Sequence, residues 1–161
     1  MPTVERPTIE RPTIEREAAC VVRRLIAAPV SAVYRAWTEP ELLREWNWGR
    51  DYETVTVEQN CRVGGIWKQH IRDKKTGENW FFEGEFKEVI PDKKLVHTFH
   101  FRSDRGKDEG PSLVAIEFVE RGGSTEVVIT HSQLAQEKKT GTEAGWVDVL
   151  ECVEKCVLNA I

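Results

Sequence analysis

The spacing of apolar residues changes twice along the chain, and the changes divide it into three parts. Through the middle, apolar positions recur mainly every second residue, the period of a strand with one buried face. Residues 53–59, 65–72, 80–89, 95–101, 112–120 and 125–133 predict six such strands. A further strand is predicted ahead of them, over about residues 15–26. Between it and the others, Val30, Val33, Tyr34 and Trp37 keep helical spacing, with Pro29 in the first turn. Thr38-Glu39-Pro40-Glu41 has the form of a capping box and predicts a second short helix from Pro40 to about Trp46. At the C-terminal end Trp146, Val149, Leu150, Val153, Cys156, Val157 and Ile161 form one apolar stripe of an amphipathic helix. Thr140-Gly141-Thr142-Glu143 fits another capping box, which places this helix at about residues 142–161.

Turn chemistry connects the strands. Lys75-Thr76-Gly77-Glu78 and Arg121-Gly122-Gly123-Ser124 carry the glycines of tight hairpins, and Pro91-Asp92-Lys93-Lys94 marks another turn. The charged run 103–110 predicts a longer loop. Short strands without intervening helices indicate a meandering antiparallel sheet. A helix of about 20 residues is roughly 30 Å long and must lie along something apolar. The sheet is the available surface.

The first sixteen residues contain three units, Pro2-Thr3-Val4-Glu5-Arg6, Pro7-Thr8-Ile9-Glu10-Arg11 and Pro12-Thr13-Ile14-Glu15-Arg16. A proline every five residues argues against a central strand. We expect an extended tail over residues 1–14 and one domain over residues 15–161.

Composition narrows the function classes. At 161 residues, 40% hydrophobic and 31% charged, the chain is a globular domain with a real core. A net charge of -4 argues against nucleic acid as a partner. No apolar stretch is as long as a membrane span, which takes roughly 18 residues, so no membrane insertion is expected. The N-terminus lacks the apolar core of a signal peptide, which makes a cytoplasmic location the expectation. The four cysteines (Cys20, Cys61, Cys152 and Cys156) include no C-x-x-C pair and read as reduced, mostly buried thiols. The histidines form no helical metal-binding pair, so no metal and no cofactor is expected. G-x-S-x-G, the P-loop and G-x-G-x-x-G are all missing. Ser132 beside His131 diverges from it on a strand.

Several stretches resemble the START-like (SRPBCC) superfamily, and most closely its branch named after the activator of the 90-kDa heat-shock chaperone ATPase. They are Ala28-Pro29 with Val33-Tyr34-Arg35-Ala36-Trp37-Thr38, then Glu39-Pro40-Glu41-Leu42-Leu43 to Trp46, and Arg62-Val63-Gly64-Gly65-Ile66-Trp67. Gly84 with Glu88-Val89-Ile90-Pro91, then Gly122-Gly123-Ser124-Thr125 with Thr130-His131-Ser132, and Gly145-Trp146 through Leu150 follow in order. Asn60 departs from the branch, which usually has Asp there, and the proline-threonine repeat has no counterpart in it. The resemblance implies an α+β helix-grip (START/Bet v-like) fold. In that fold a curved antiparallel sheet of about seven strands wraps a long C-terminal helix, with two short helices after the first strand. It also implies a cavity between sheet and helix, which relatives use for lipids, polyketides and plant hormones; a few are cyclases. The founding activator binds a chaperone and carries an additional N-terminal domain.

Strand parity then nominates the walls. Trp67, Trp80 and Phe82 share the inward face with Phe99, Phe118, Val127, Ile129 and His131. They would meet Trp146, Val149, Leu150 and Val153, while Trp46 and Trp48 lie near the mouth. A filled core would satisfy the same pattern. His97 and His131 point inward, whereas His70 and His100 point outward. His131, in the matched Thr-His-Ser stretch, is the stronger candidate for ligand contact; His131 and His97 are weak candidates for catalysis. The leading expectation is a protein, monomeric or homodimeric, that binds a small apolar or amphipathic molecule. A cyclase or hydrolase using an inward histidine, and a protein-interaction or chaperone-associated module, remain the alternatives.

Overall fold

In a computed structural model, which describes residues 17–46 and 48–160, one antiparallel sheet curves around a long helix. Strand β1 (Glu17–Ile26) leads into helices α1 (Val30–Thr38) and α2 (Pro40–Trp46). Strands β2 (Tyr52–Gln59), β3 (Ile66–Asp73), β4 (Asn79–Ile90), β5 (Lys94–Ser103), β6 (Asp108–Arg121) and β7 (Ser124–Ala135) follow. A 3-10 turn (Gln136–Lys138) then opens helix α3 (Lys139–Ala160). The strand order is β1-β7-β6-β5-β4-β3-β2, so the meander is completed by β1 pairing beside β7. The repeat tail, the start predicted for the first strand and Ile161 lie outside the described residues.

Alternation decides which side is buried. Trp67, Gln69 and Ile71 of β3, Val114, Ile116 and Phe118 of β6, and Val127, Ile129 and His131 of β7 are all buried. They meet the α3 stripe of Trp146, Val149, Leu150, Val153, Cys156 and Val157. Gly122 and Gly123 both take positive φ, 57° and 92°. Two such residues in succession permit the tight turn that pairs Arg121 with Ser124. Register breaks near Cys20, Thr56, Glu88 and Phe101 are bulges, and bulges bend strands. The bend brings the concave face around α3. Across it, Arg24 of β1 donates from Nε and Nη2 to Glu154 Oε1 of α3 at 3.0 and 2.8 Å.

Some predicted details differ. Thr38 does not cap α2: its hydroxyl donates back to the Tyr34 carbonyl at 3.1 Å, and the Glu39 carbonyl accepts the first amides of α2. Pro29 is the residue before α1 rather than part of its first turn. The helix predicted from Thr142 begins at Lys139, because the 3-10 turn hands its backbone directly to α3. The loop predicted over 103–110 is shorter, since Ser103 N–H bonds the Lys107 carbonyl and β6 starts at Asp108. Asp104, Arg105 and Lys107 stay in the turn, while Asp108 and Glu109 begin β6.

Candidate functional site

The concave face is not packed throughout. Between the N-terminal half of α3 and the sheet lies a cleft of about 750 Å³. Adjacent strands β4 and β5 supply Trp80, Phe82, Phe99 and Phe101; Trp48 and Tyr52 come from the turn after α2 and the start of β2. Trp146 and Val149 of α3 close the other side. Charged residues, Lys107, Asp108, Glu109, Glu137 and Lys138, form the rim. The space exists partly because α3 presents Gly141 and Gly145 there. A Cβ built on either meets nothing within 4 Å.

Of the residues nominated from the sequence, Trp48, Trp80, Phe82, Phe99, His131, Trp146 and Val149 border the cleft. Phe118, Val127, Ile129, Leu150 and Val153 sit in the filled core behind it, with exposures of 4% or less. Trp46 and Trp67 border a separate void of about 20 Å³, together with Gln69 and His97. Trp46, placed near the mouth by sequence, is buried and donates to the Ala36 carbonyl at 2.9 Å. Its indole fills the space under α1 instead.

His131 is held by a continuous chain of hydrogen bonds. Trp146 Nε1–H can only donate, and it reaches His131 Nδ1 at 3.0 Å. Nδ1 is therefore the bare nitrogen, and Nε2 carries the proton. Nε2–H donates to Ser112 Oγ at 2.7 Å, and the Ser112 hydroxyl donates onward to the Phe99 carbonyl at 3.2 Å. Burial, with the neighbouring His97 adding a smaller push, lowers the His131 pKa to about 4. A neutral imidazole with both nitrogens engaged has no free lone pair with which to abstract a proton and no free N–H to offer a ligand. Ser112 was not singled out from sequence; Ser132 was considered instead. The signal was present, because the Gly122-Gly123 turn sets Val114 opposite His131. That register puts Ser112 diagonally beside the histidine on the same face.

His97 is inward as its parity requires, but on the 20 Å³ void and not the cleft. Its Nδ1 bonds the Thr98 carbonyl at 2.9 Å, and burial lowers its pKa to about 4 despite that bond. His70 and His100 face outward, bonded to Asn79 at 2.7 Å and Asp108 at 2.6 Å.

Phe101, which shares the inward parity of Phe99, also borders the cleft, as do Tyr52 and Lys107, which were missed. Lys107 Nζ lies 5.0 Å over the Trp80 ring and 3.4 Å from Glu78 Oε1. Trp80 turns its indole N–H toward the Glu78 carboxylate without reaching hydrogen-bond geometry. Lys107 thus brings a cation to this end of the cleft, while the Glu78 carboxylate and the Trp80 N–H lie buried behind it.

Trp48 has an unusual position. Its φ of 60° is left-handed. That conformation costs a bulky residue about 1–3 kcal/mol. Ring packing offsets the cost. Its indole lies nearly parallel to Phe82 at 4.7 Å and to Trp67 at 6.3 Å, and its Nε1–H donates to Gln69 Oε1. Trp67 reaches its own place because Gly84 lies beside it. A Cβ on Gly84 would stand 2.5 Å from Trp67 Nε1 and 1.9 Å from the Thr98 carbonyl oxygen.

The thiols of Cys20, Cys61, Cys152 and Cys156 are free. Among the described residues, no group of three His, Cys, Asp or Glu side chains is arranged to hold a metal ion. No helix there is long and apolar enough to cross a membrane.

A curved seven-stranded sheet gripping a C-terminal helix, with an open space beside that helix, defines the helix-grip class of the START-like superfamily. Within it, the chain belongs to the family described as Activator of Hsp90 ATPase homolog 1-like protein, whose model matches residues 27–157. Solved structures agree on the fold. A protein from Chromobacterium violaceum is 22% identical, covers 86% of this chain and 96% of its own, and superposes with a TM-score of 0.77. An uncharacterised protein from Rhizobium leguminosarum gives 20% identity, 89% and 95% coverage and a TM-score of 0.78. An AHSA1-like protein from Aeromonas hydrophila gives 24% identity, 89% and 94% coverage and a TM-score of 0.73. Comparison with curated proteins finds no match.

Proposed function

We propose that the protein binds a small apolar or amphipathic molecule, of lipid, polyketide or aromatic type, in the cleft between sheet and α3. The observation that carries this reading is the cleft itself. Its volume is about 750 Å³, with walls from Trp48, Trp80, Phe82, Phe99 and Trp146. That falls in the usual range for small-molecule sites. Such sites are mainly apolar with a few placed polar groups, and here Ser112 and Lys107 supply them. The family's association with ligand binding points the same way. The acid–base alternative has less support, since both nitrogens of His131 are already committed. Four free thiols fit a reducing, cytoplasmic setting.

The test is a screen of lipids and flat aromatic compounds by native mass spectrometry and thermal shift. At a free concentration a hundred times its Kd, a ligand should add about 2.7 kcal/mol to stability. A library with no compound that binds or raises the melting temperature would overturn the reading.

A further inference from the structure

Trp48 occupies a site rather than merely bordering one. On one side of its indole is the open cleft; on the other is the void of about 20 Å³. The ring stacks on Phe82 and lies nearly parallel to Trp67 at an offset 6.3 Å, while Trp46, Trp146 and Phe99 meet it at tilted angles, with centroids 5.1, 5.5 and 5.8 Å away. Gln69, only 5% exposed, aims its Oε1 at the indole N–H. Two parallel faces, a collar of ring edges and one buried acceptor form a complete recognition set for a flat aromatic group carrying a donor. The occupant happens to belong to the same chain.

We infer that the deep end of the cleft is an aryl subsite for a planar aromatic group bearing an N–H or O–H donor, and that Trp48 fills it as an intramolecular surrogate which such a ligand displaces. The inference rests on the reading of the cleft as a ligand site and deepens it. Three further observations support it. Trp48 lies in a turn between α2 and β2, so its ring can leave without unravelling a helix or strand. Its left-handed φ is followed by Gly49 at 134°, so side-chain docking and not backbone preference keeps it there. Behind it, the void of about 20 Å³ has room for one water and no ligand. With the ring withdrawn, that void joins the cleft and brings Gln69 and His97 within a ligand's reach.

The test uses the full chain with Trp48→Ala, titrated calorimetrically with indole and with benzofuran, which has the same shape but no N–H. Indole should bind Trp48→Ala at least tenfold more tightly than wild type, and several-fold more tightly than benzofuran does. Adding Gln69→Leu should abolish the difference between the two compounds. Equal indole affinity in wild type and variant, or no preference for indole over benzofuran, would overturn the subsite. Should Trp48→Ala not fold, wild type labelled with 5-fluorotryptophan provides the readout. With Trp48→Phe assigning the resonance, saturating indole should move the Trp48 fluorine signal toward its solvent-exposed position, and an unmoved signal overturns the inference. A wild type that binds library compounds while Trp48 stays in place would leave the cleft reading intact and remove only the subsite. Failure of wild type and variants alike to bind any compound would remove both.

Discussion

Ser112 and Trp146 decide what His131 is able to do. They use its two ring nitrogens in opposite senses, one as donor and one as acceptor. Removing the serine hydroxyl leaves a buried N–H without an acceptor. Ser112→Ala is therefore expected to cost about 1–3 kcal/mol in urea unfolding, more than the small volume change would. Nitrogen chemical shifts of His131 should report the Nε2–H tautomer, and an Nδ1–H form would contradict the hydrogen-bond chain. Strand parity already indicated that this histidine points inward. The identity of its partners was harder to see, because one comes from a neighbouring strand and the other from the helix that follows.

Helix α3 shows how one element serves two purposes. Its stripe from Trp146 to Val157 packs on the sheet, and this was readable from helical periodicity. Its first turns instead face the cleft through Gly141 and Gly145, which periodicity does not register because glycine has no side chain to place. Both are costly for a helix, by up to about 1 kcal/mol each relative to alanine. Gly145→Leu should thus hold or raise the melting temperature while projecting a side chain into the cleft. The expected result is a loss of at least tenfold in affinity for any ligand found in the screen, measured by calorimetry. Unchanged affinity would place the ligand elsewhere. The capping boxes read at Thr38 and Thr140 illustrate the opposite case. The residue types were suitable, but Thr38 found a nearer carbonyl and the 3-10 turn made a cap at Thr140 unnecessary.

For the molecule as a whole, two buried neutral histidines link stability to pH. His97 and His131 have folded pKa values of about 4, below the ordinary value of about 6.5. Between these values the unfolded chain binds more protons than the folded one, so stability rises with pH. Their contribution is complete above about pH 6.5 and is lost as the pH falls toward about 4, where the folded form also protonates. The loss is on the order of 3 kcal/mol for each site taken alone. Urea midpoints should fall from pH 7 to pH 4.5, and His97→Gln should flatten that slope. A slope unaffected by the substitution would place the proton uptake in other groups.

The sequence by itself determined the architecture: seven strands, two short helices, a long gripping helix, and which face of each is buried. These depend on the strand and helix periods and on turn glycines, and local signals survive in a linear chain. It also supplied part of the cleft wall, since parity identifies inward side chains such as Phe82, Phe99 and His131. Only the tertiary structure decided which inward side chains are packed and which face open space. Phe118 and Phe99 look alike in the pattern, yet one is in the core and the other on the cleft. The physical reason is that emptiness belongs to no residue. It is what remains when the volumes of β4, β5, β7, α3 and the Trp48 turn are brought together, and no period along the chain encodes that sum.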